Sequence, residues 1–268
     1  MTRLAKSTFV VVAVLTAAMT ATACGGDDEK PTTGKLRTLK AGTLTVGSDT
    51  AYPPFEFGQP PNYKGFDIDL VNELAKRLKL KATIVKSAFN PILRSLAQGR
   101  FDMVASATAI TDEAKRTVDF SDPYFAADQS IVTRKGSGVR SVDDLDGKRV
   151  GAQLGTTGSE YARDKTDAIV RNFDAYSDAF NALEAGQVDA VIHNFPQSQQ
   201  EVEKRKGLKI VESVPTGEFY GLAFAKRNDA LREEVNTVLQ EMKDDGAYTR
   251  IYRKWFKQDP PKSILDSG

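Results

Sequence analysis

Side chains able to do covalent or metal chemistry are scarce in this 268-residue sequence, which has one histidine, His193, and one cysteine, Cys24. A lone Cys and a lone His exclude a Cys/His zinc cluster and a disulfide framework. No Ser–His–Asp order, Walker lysine or metal-ligand spacing is visible, and Gly155-Thr-Thr-Gly158 lacks the lysine of a phosphate loop. General acid–base work would fall to Glu56, Glu113 or His193, and only if they faced one cleft. Recognition chemistry is better supplied. Asp49 and Tyr52 stand just beyond a short β-branched run at 43–46, the end of a strand where α/β folds place ligands. A small solute needs aromatic walls and a few fixed polar groups.

Such residues need elements to hold them. From Gly42 onward strand-like and helix-like stretches alternate, which predicts an α/β fold with a mainly parallel sheet. Residues 43–46 and 82–85 read as strands. Between them, 67–80 reads as an amphipathic helix with Leu70, Val71, Leu74 and Leu78 on one stripe. Asn90 as cap and Pro91 as first residue predict a helix to Gly99, then a strand at 103–104. The run Leu96-Ala-Gln-Gly99-Arg-Phe-Asp102-Met-Val104 is echoed 87 positions later by Leu183-Glu-Ala-Gly186-Gln-Val-Asp189-Ala-Val191. In both, an apolar helical residue precedes a glycine suited to the left-handed position after a helix. The echo suggests two lobes of similar build. The second would hold a strand at 149–153, the Gly/Thr turn at 155–158, a helix begun by Ser177, a strand at 188–192 and a helix begun by Pro196. A strand at 222–225 and helices at 229–242 and 247–256 then need a sheet to pack on. That would send the chain back to the first lobe through crossings near 125–129 and 219–221, a hinge.

Charge narrows the partners. Lys and Arg total 37 against 36 Asp and Glu, a net charge of +1. Arg3 and Lys6 precede an apolar run at 9–15 and small residues at 16–23, the layout of a secretory signal over 1–23. A membrane-spanning anchor is the competing reading, because 7–26 is uncharged and near the ~20 residues of a span; its four Thr and two Gly weigh against that. From Cys24 onward the balance is 35 against 36, or −1. So even a balance lacks the basic field of a nucleic-acid partner, and none is expected. Cys24 stands where the signal would end, in Ala21-Thr22-Ala23-Cys24-Gly25-Gly26. This resembles a bacterial lipoprotein cleavage box, although Ala21 replaces the usual Leu, Val or Ile; an ordinary cleavage site is the alternative. Residues 24–40 are polar and punctuated by Gly and Pro, which suits a flexible tether on the order of 50 Å long. The expectation is an extracytoplasmic protein, lipid-anchored through Cys24 to the cell membrane.

Several ordered motifs resemble the family 3 extracellular solute-binding proteins, the polar-amino-acid receptors of bacterial ABC importers, over nearly all of 40–256. Leu44-Thr-Val-Gly-Ser-Asp49-Thr-Ala-Tyr52-Pro-Pro-Phe55-Glu56-Phe57 is similar to the family's first strand and aromatic loop. Gly65-Phe66-Asp67-Ile-Asp69-Leu70 is similar to its first helix entry, and Thr111-Asp112-Glu113 with Val118-Asp-Phe-Ser-Asp-Pro-Tyr124 to the approach to the first crossover. Leu145-Asp-Gly-Lys-Arg-Val-Gly151 and Gly155-Thr-Thr-Gly-Ser159 resemble the second lobe's opening, and Gly246-Ala-Tyr-Thr-Arg-Ile-Tyr-Arg-Lys-Trp-Phe256 the closing helix. The resemblance implies a periplasmic-binding-protein-like fold of type II, two α/β lobes around a ligand cleft. It sets lobe 1 at 41–125 plus 221–257, lobe 2 at 130–218, hinges at 126–129 and 219–220, and a tail at 258–268. It further implies a monomer without cofactor, a small-molecule solute and an ABC permease in the membrane as partner. Tyr52 and Phe89 match positions that flank the ligand side chain, and Thr157 and Gly158 an anion-binding turn. Ala107, Ala109, Ala114, His193 and Asn194 complete the implied contact set. Phe55, Phe57 and Phe66 are expected mainly in the core, and Asp67 and Asp69 to cap or decorate their helix.

Two departures bear on the ligand. Relatives that bind α-amino acids place an Arg after the Thr-x-Glu motif to clamp the carboxylate, where this chain has Ala114. They place an Asp after the second-lobe strand to hold the ammonium, where this chain has Asn194. Loss of both suits a cation held by Asp49 and aromatic faces, or a neutral polar molecule. An amino acid remains the other reading, its carboxylate on Thr157 and Gly158 and its amine on Asp49. A transport receptor is the expected function. An enzyme on this scaffold, such as a cyclohexadienyl dehydratase, and a sensory module acting in trans are the alternatives.

Overall fold

The computed structural model describes residues 36–267, built on two five-stranded sheets and one small three-stranded one. Lobe 1 opens with β1 (Thr43–Ser48), then a small antiparallel sheet of β2 (Ala51–Tyr52), β3 (Glu56–Gln59) and β4 (Asn62–Lys64). Helix α1 (Phe66–Arg77), β5 (Lys81–Lys86), α2 (Ile92–Ala97), β6 (Met103–Val104), α3 (Asp112–Thr117) and β7 (Val118–Phe120) follow. Strand β8 (Phe125–Arg134) carries the chain into lobe 2, which holds β9 (Arg149–Gln153), α4 (Thr157–Lys165), β10 (Ile169–Phe173), α5 (Tyr176–Glu184), β11 (Ala190–Asn194) and α6 (Phe195–Lys204). Strand β12 (Leu208–Tyr220) returns to lobe 1 and leads to β13 (Ala223–Ala225), α7 (Asp229–Asp244), α8 (Ala247–Phe256) and α9 (Lys262–Leu265).

The sheet orders are β5-β1-β6-β13-β7 and β10-β9-β11-β8-β12. Both are mixed rather than mainly parallel. The three strands joined by helical crossovers run parallel in each sheet, whereas β13 enters antiparallel to β6 and β7, and β8 antiparallel to β11 and β12. A strand arriving from the other lobe has no helical crossover on its own sheet, so nothing imposes parallel entry.

The sequence echo is a repeated joint. Gly99 and Gly186 both take left-handed backbones (φ 80° and 73°), and each N–H donates to the leucine three residues back. Asp102 and Asp189 then do the same work in the two lobes. Asp102 accepts from Thr45 N–H at 2.7 Å and Asp189 from Arg149 N–H at 3.0 Å, pinning the strand that will carry the cleft loops.

Lobe 1 packs α1 through Ile68, Leu70, Val71, Leu74 and Ala75. An aromatic cluster of Phe55, Phe66, Phe125, Tyr220, Tyr252 and Phe256 lies beside it, with ring centroids 4.7–6.2 Å apart. Each such ring contributes about 1.5–3 kcal/mol of burial. Asp69 caps nothing; it accepts from Trp255 Nε1 at 2.7 Å and Lys254 Nζ at 2.6 Å, tying α1 to α8.

Several expectations need correction. Pro91, not Asn90, caps α2, and Ala175, not Ser177, caps α5; neither helix has a side-chain cap bond. The Gly/Thr turn is the start of a helix, α4, with Thr156 Oγ1 accepting from Ser159 N–H. The 258–268 tail folds back, because Ile264 finds a fully buried site and Lys243 bonds Ser267. The last residues of the expected tether, 36–40, also belong to the fold: Leu36 packs on the core and Leu39 N–H donates to Asp102 Oδ1 at 2.7 Å. The signal segment 1–23 and Cys24 lie outside the described residues.

Candidate solute-binding cleft

The two lobes close on a cavity of ≈ 90 Å³. Lobe 1 supplies three segments. The loop after β1 and the short β2 bring Asp49 and Tyr52, the turn before α2 brings Phe89 and Asn90, and the stretch after β6 brings Ser106, Ala107, Thr108 and Ala109, with Thr111 and Ala114 near the start of α3. Lobe 2 supplies Gln153, the α4 start with Thr156, Thr157 and Glu160, and the end of β11 with His193 and Asn194. Of the ten residues singled out in the sequence, nine line this cavity. Gly158 does not: a Cβ there would stand 2.9 Å from Gln129 Oε1 and 3.0 Å from the Ile192 carbonyl, so it is packed against β8 and β11. Phe55 and Phe66 are core, and Phe57 packs on Trp255.

Tyr52 is the main crossing between lobes. Its ring meets Tyr176 and His193 edge-on at 5.3 and 5.5 Å, and its hydroxyl donates to Asn194 Oδ1 at 3.1 Å. His193 stacks flat on Tyr176 at 5.3 Å and 8°. Its Nε2 has no partner, and burial holds the ring's pKa down at about 3, so it is neutral at ordinary pH. Ala107 has a left-handed backbone (φ 44°), a strain of about 1–2 kcal/mol for a residue with a Cβ. Asp67 Oδ2 accepts its N–H at 2.9 Å and holds it there. Asp67 is thus neither a cap nor a surface residue.

The sequence reading missed Ser106, Thr108, Gln153, Glu160 and Glu218, all of which line the cavity. Glu218, on the hinge strand β12, lines the cavity and accepts from Thr157 Oγ1 at 2.5 Å, Gln129 Nε2 at 3.1 Å and Asn194 Nδ2 at 3.2 Å. An Asp at 194 would set two carboxylates face to face; the Asn amide instead donates to Glu218 and accepts from Tyr52. Burial raises the Glu218 pKa, and its three donors oppose that rise. The start of α4, expected to receive a ligand anion, therefore already faces a carboxylate of the chain itself. The available signal was position, since Glu218 directly precedes the expected second crossing.

The charged residues lining the cavity are Asp49, Glu160 and Glu218, all acidic. Burial raises the pKa of Asp49, with Lys86 opposing, and burial together with Glu113 across the cleft raises that of Glu160. Glu56 and Glu113 do not line the cavity, the first being fully buried behind it and the second exposed. Aromatic faces with three carboxylates can desolvate and hold a small cation.

Comparison with known proteins gives this geometry a family. Residues 44–258 match the model for bacterial extracellular solute-binding proteins, family 3. The chain is 38% identical over 202 residues to the ABC transporter glutamine-binding protein GlnH of Bacillus subtilis (strain 168), covering 74% of each. An ancestral arginine-binding protein bound to arginine superposes with a TM-score of 0.76 at 43% identity, over 80% of this chain and 98% of that one. The ancestral amino acid-binding protein AncCDT-1, a precursor of cyclohexadienyl dehydratase, superposes at 0.75 with 38% identity, over 80% and 96%. With the two-lobed type II architecture and the enclosed cleft, these likenesses place the chain among the bacterial extracellular solute-binding proteins of family 3.

Proposed function

We propose that the chain is the extracytoplasmic receptor of an ABC importer and that its solute is a small organic cation: an amine, a guanidine or a quaternary ammonium. One observation carries the choice of ligand. The charged groups lining the cleft are Asp49, Glu160 and Glu218, with no Arg or Lys among the lining residues to meet a carboxylate. A buried carboxylate without a cationic partner is costly, and the Thr157 hydroxyl is already donated to Glu218, whose charge would repel one at the start of α4. An α-amino acid is the second reading, favoured by the names of the relatives above. Closure of the lobes around the solute would present the receptor to its permease, and a lipid on Cys24 would keep a monomer at the membrane.

Binding without turnover is the proposal, supported by a carboxylate at Glu218 already committed to three donors and by Glu56 and Glu113 not lining the cavity. The decisive pair of probes is agmatine and L-arginine, which differ by the α-carboxylate. Calorimetry on chain unfolded and refolded to strip carried-over ligand is expected to give the tighter constant with agmatine. Asp49→Asn is expected to weaken agmatine by about 10–100-fold, the worth of one charge-assisted contact. Tighter binding of L-arginine or L-glutamine would replace the cation reading with the amino-acid one. Proton NMR of agmatine left with the protein should show it unchanged.

A further inference from the structure

Behind the cleft wall lie two carboxyl groups with no contact to solvent, Glu56 at the start of β3 and Asp67 in the first turn of α1. Each has one oxygen with a good partner and one with none. Glu56 Oε1 accepts from Ser106 Oγ at 2.7 Å, and Asp67 Oδ2 accepts from Ala107 N–H and Tyr124 OH, both at 2.9 Å. The oxygens left over are Glu56 Oε2 and Asp67 Oδ1. Their partners Ser106 and Ala107 are consecutive in the chain, and Asp67 N–H donates at 2.9 Å to the carbonyl of Phe55, the residue before Glu56, so the two carboxyls are brought together. Two carboxylates cannot both be ionised at such a distance in a water-free site, whereas one proton between them satisfies both orphan oxygens. The groups facing the pair are Asp49 from the loop after β1, Tyr52 from β2, Tyr124 before β8, Tyr176 from α5 and Tyr248 from α8; no basic side chain is among them.

We infer that Glu56 and Asp67 share a single proton and act together as positioning residues for the cleft wall. The proton sits on Glu56, because two other donors already converge on Asp67 and favour its ionised form. From that bond two arms reach the cavity. Glu56 accepts the hydrogen bond of the Ser106 hydroxyl, which turns a lone pair of Ser106 Oγ to accept Asp49 N–H at 3.0 Å. Asp67 holds Ala107 N–H in its left-handed turn. Asp49, Ser106 and Ala107 all line the cleft, so the shared proton sets the spacing of two loops that face the solute. The inference does not depend on which solute binds.

Burial lifts Glu56 well above the ordinary range and Asp67 to about 6, so the folded pair keeps its proton where unfolded carboxyls have lost theirs. The folded chain then binds more protons than the unfolded one, and stability falls as pH rises from above 4.5 until the shared proton is lost. In Glu56→Gln the amide donates to Asp67 and its oxygen accepts from Ser106, reproducing the bonds and removing the Glu56 proton, so that Asp67 alone is left to titrate, near 6. The test is made on the purified chain with no solute added. Infrared spectra at neutral pH are expected to show a protonated-carboxyl band that is absent in E56Q. Wild type is expected to lose Tm relative to E56Q by about 3–5 °C for each pH unit across the titration. Above pH 7, where Asp67 is already ionised, the amide resonances of Asp49 and Ala107 should still shift in wild type and stay still in E56Q. A wild type without the band, or whose Asp49 and Ala107 amides ignore pH, overturns the inference, and both readouts stand even if E56Q fails to fold.

Discussion

At the scale of single residues the cleft is a set of exchanges rather than losses. Asn194 makes sense beside Glu218, whose carboxylate an Asp there would repel, and Ala114 leaves the cavity without a basic clamp. His193 illustrates how burial sets chemistry. It is the one histidine in the sequence, so its ring protons are a clean NMR probe. They are expected not to titrate between pH 5 and 8. Unfolded, the ring takes a proton below 6.5, while the folded site refuses one until about 3, so His193 removes stability as pH falls through that interval. A titration near 6.5 would mean that water reaches the ring. Residue types and motif order in the sequence were enough to bring Asp49, Tyr52, Phe89 and Asn194 to one cavity. Glu218 was not legible, because Pro215-Thr-Gly-Glu218 reads as a polar loop until β12 is seen to run through it.

At the scale of elements, α1 shows how a loop and a helix are built as one piece. No side chain caps its start; Phe66 and Asp67 N–H donate instead to the carbonyls of Pro54 and Phe55, both at 2.9 Å. Gly65 permits this approach, with φ 137° and a Cβ that would lie 1.9 Å from the Phe55 carbonyl oxygen. Gly65→Ala is expected to cost about 3 kcal/mol or more, lowering Tm by roughly 6–12 °C in a thermal melt. A change within 2 °C would show that the loop can back away from the helix. The helices with apolar stripes, α1, α7 and α8, were legible from spacing. The long strands β8 and β12 were not, because their polar positions, such as Gln129 and Ser130, are buried by bonds to partners far along the chain. The same limit hid α4 behind its Gly/Thr start.

At the scale of the whole molecule, the lobes are joined by a two-strand ribbon, in which Phe125 to Ala127 pair with Glu218 to Tyr220. Across the cleft the Tyr52–Asn194 bond favours the closed arrangement. Tyr52→Phe removes about 1 kcal/mol of that bias, so the open-to-closed ratio is expected to rise about fivefold, read by small-angle scattering as a larger radius of gyration. An unchanged scattering curve would locate the closing energy elsewhere, in the rings of Tyr176 and His193. The described chain begins fastened to lobe 1 by Leu39 on Asp102 and ends fastened there by Ser267 on Lys243 and Pro123, while lobe 2 is entered and left only through β8 and β12. With a lipid on Cys24, some 40 Å of chain at most would moor lobe 1 to the bilayer. Lobe 1 is then the fixed jaw and lobe 2 the swinging one, and a permease that tells a loaded receptor from an empty one has to gauge where the swinging jaw has come to rest.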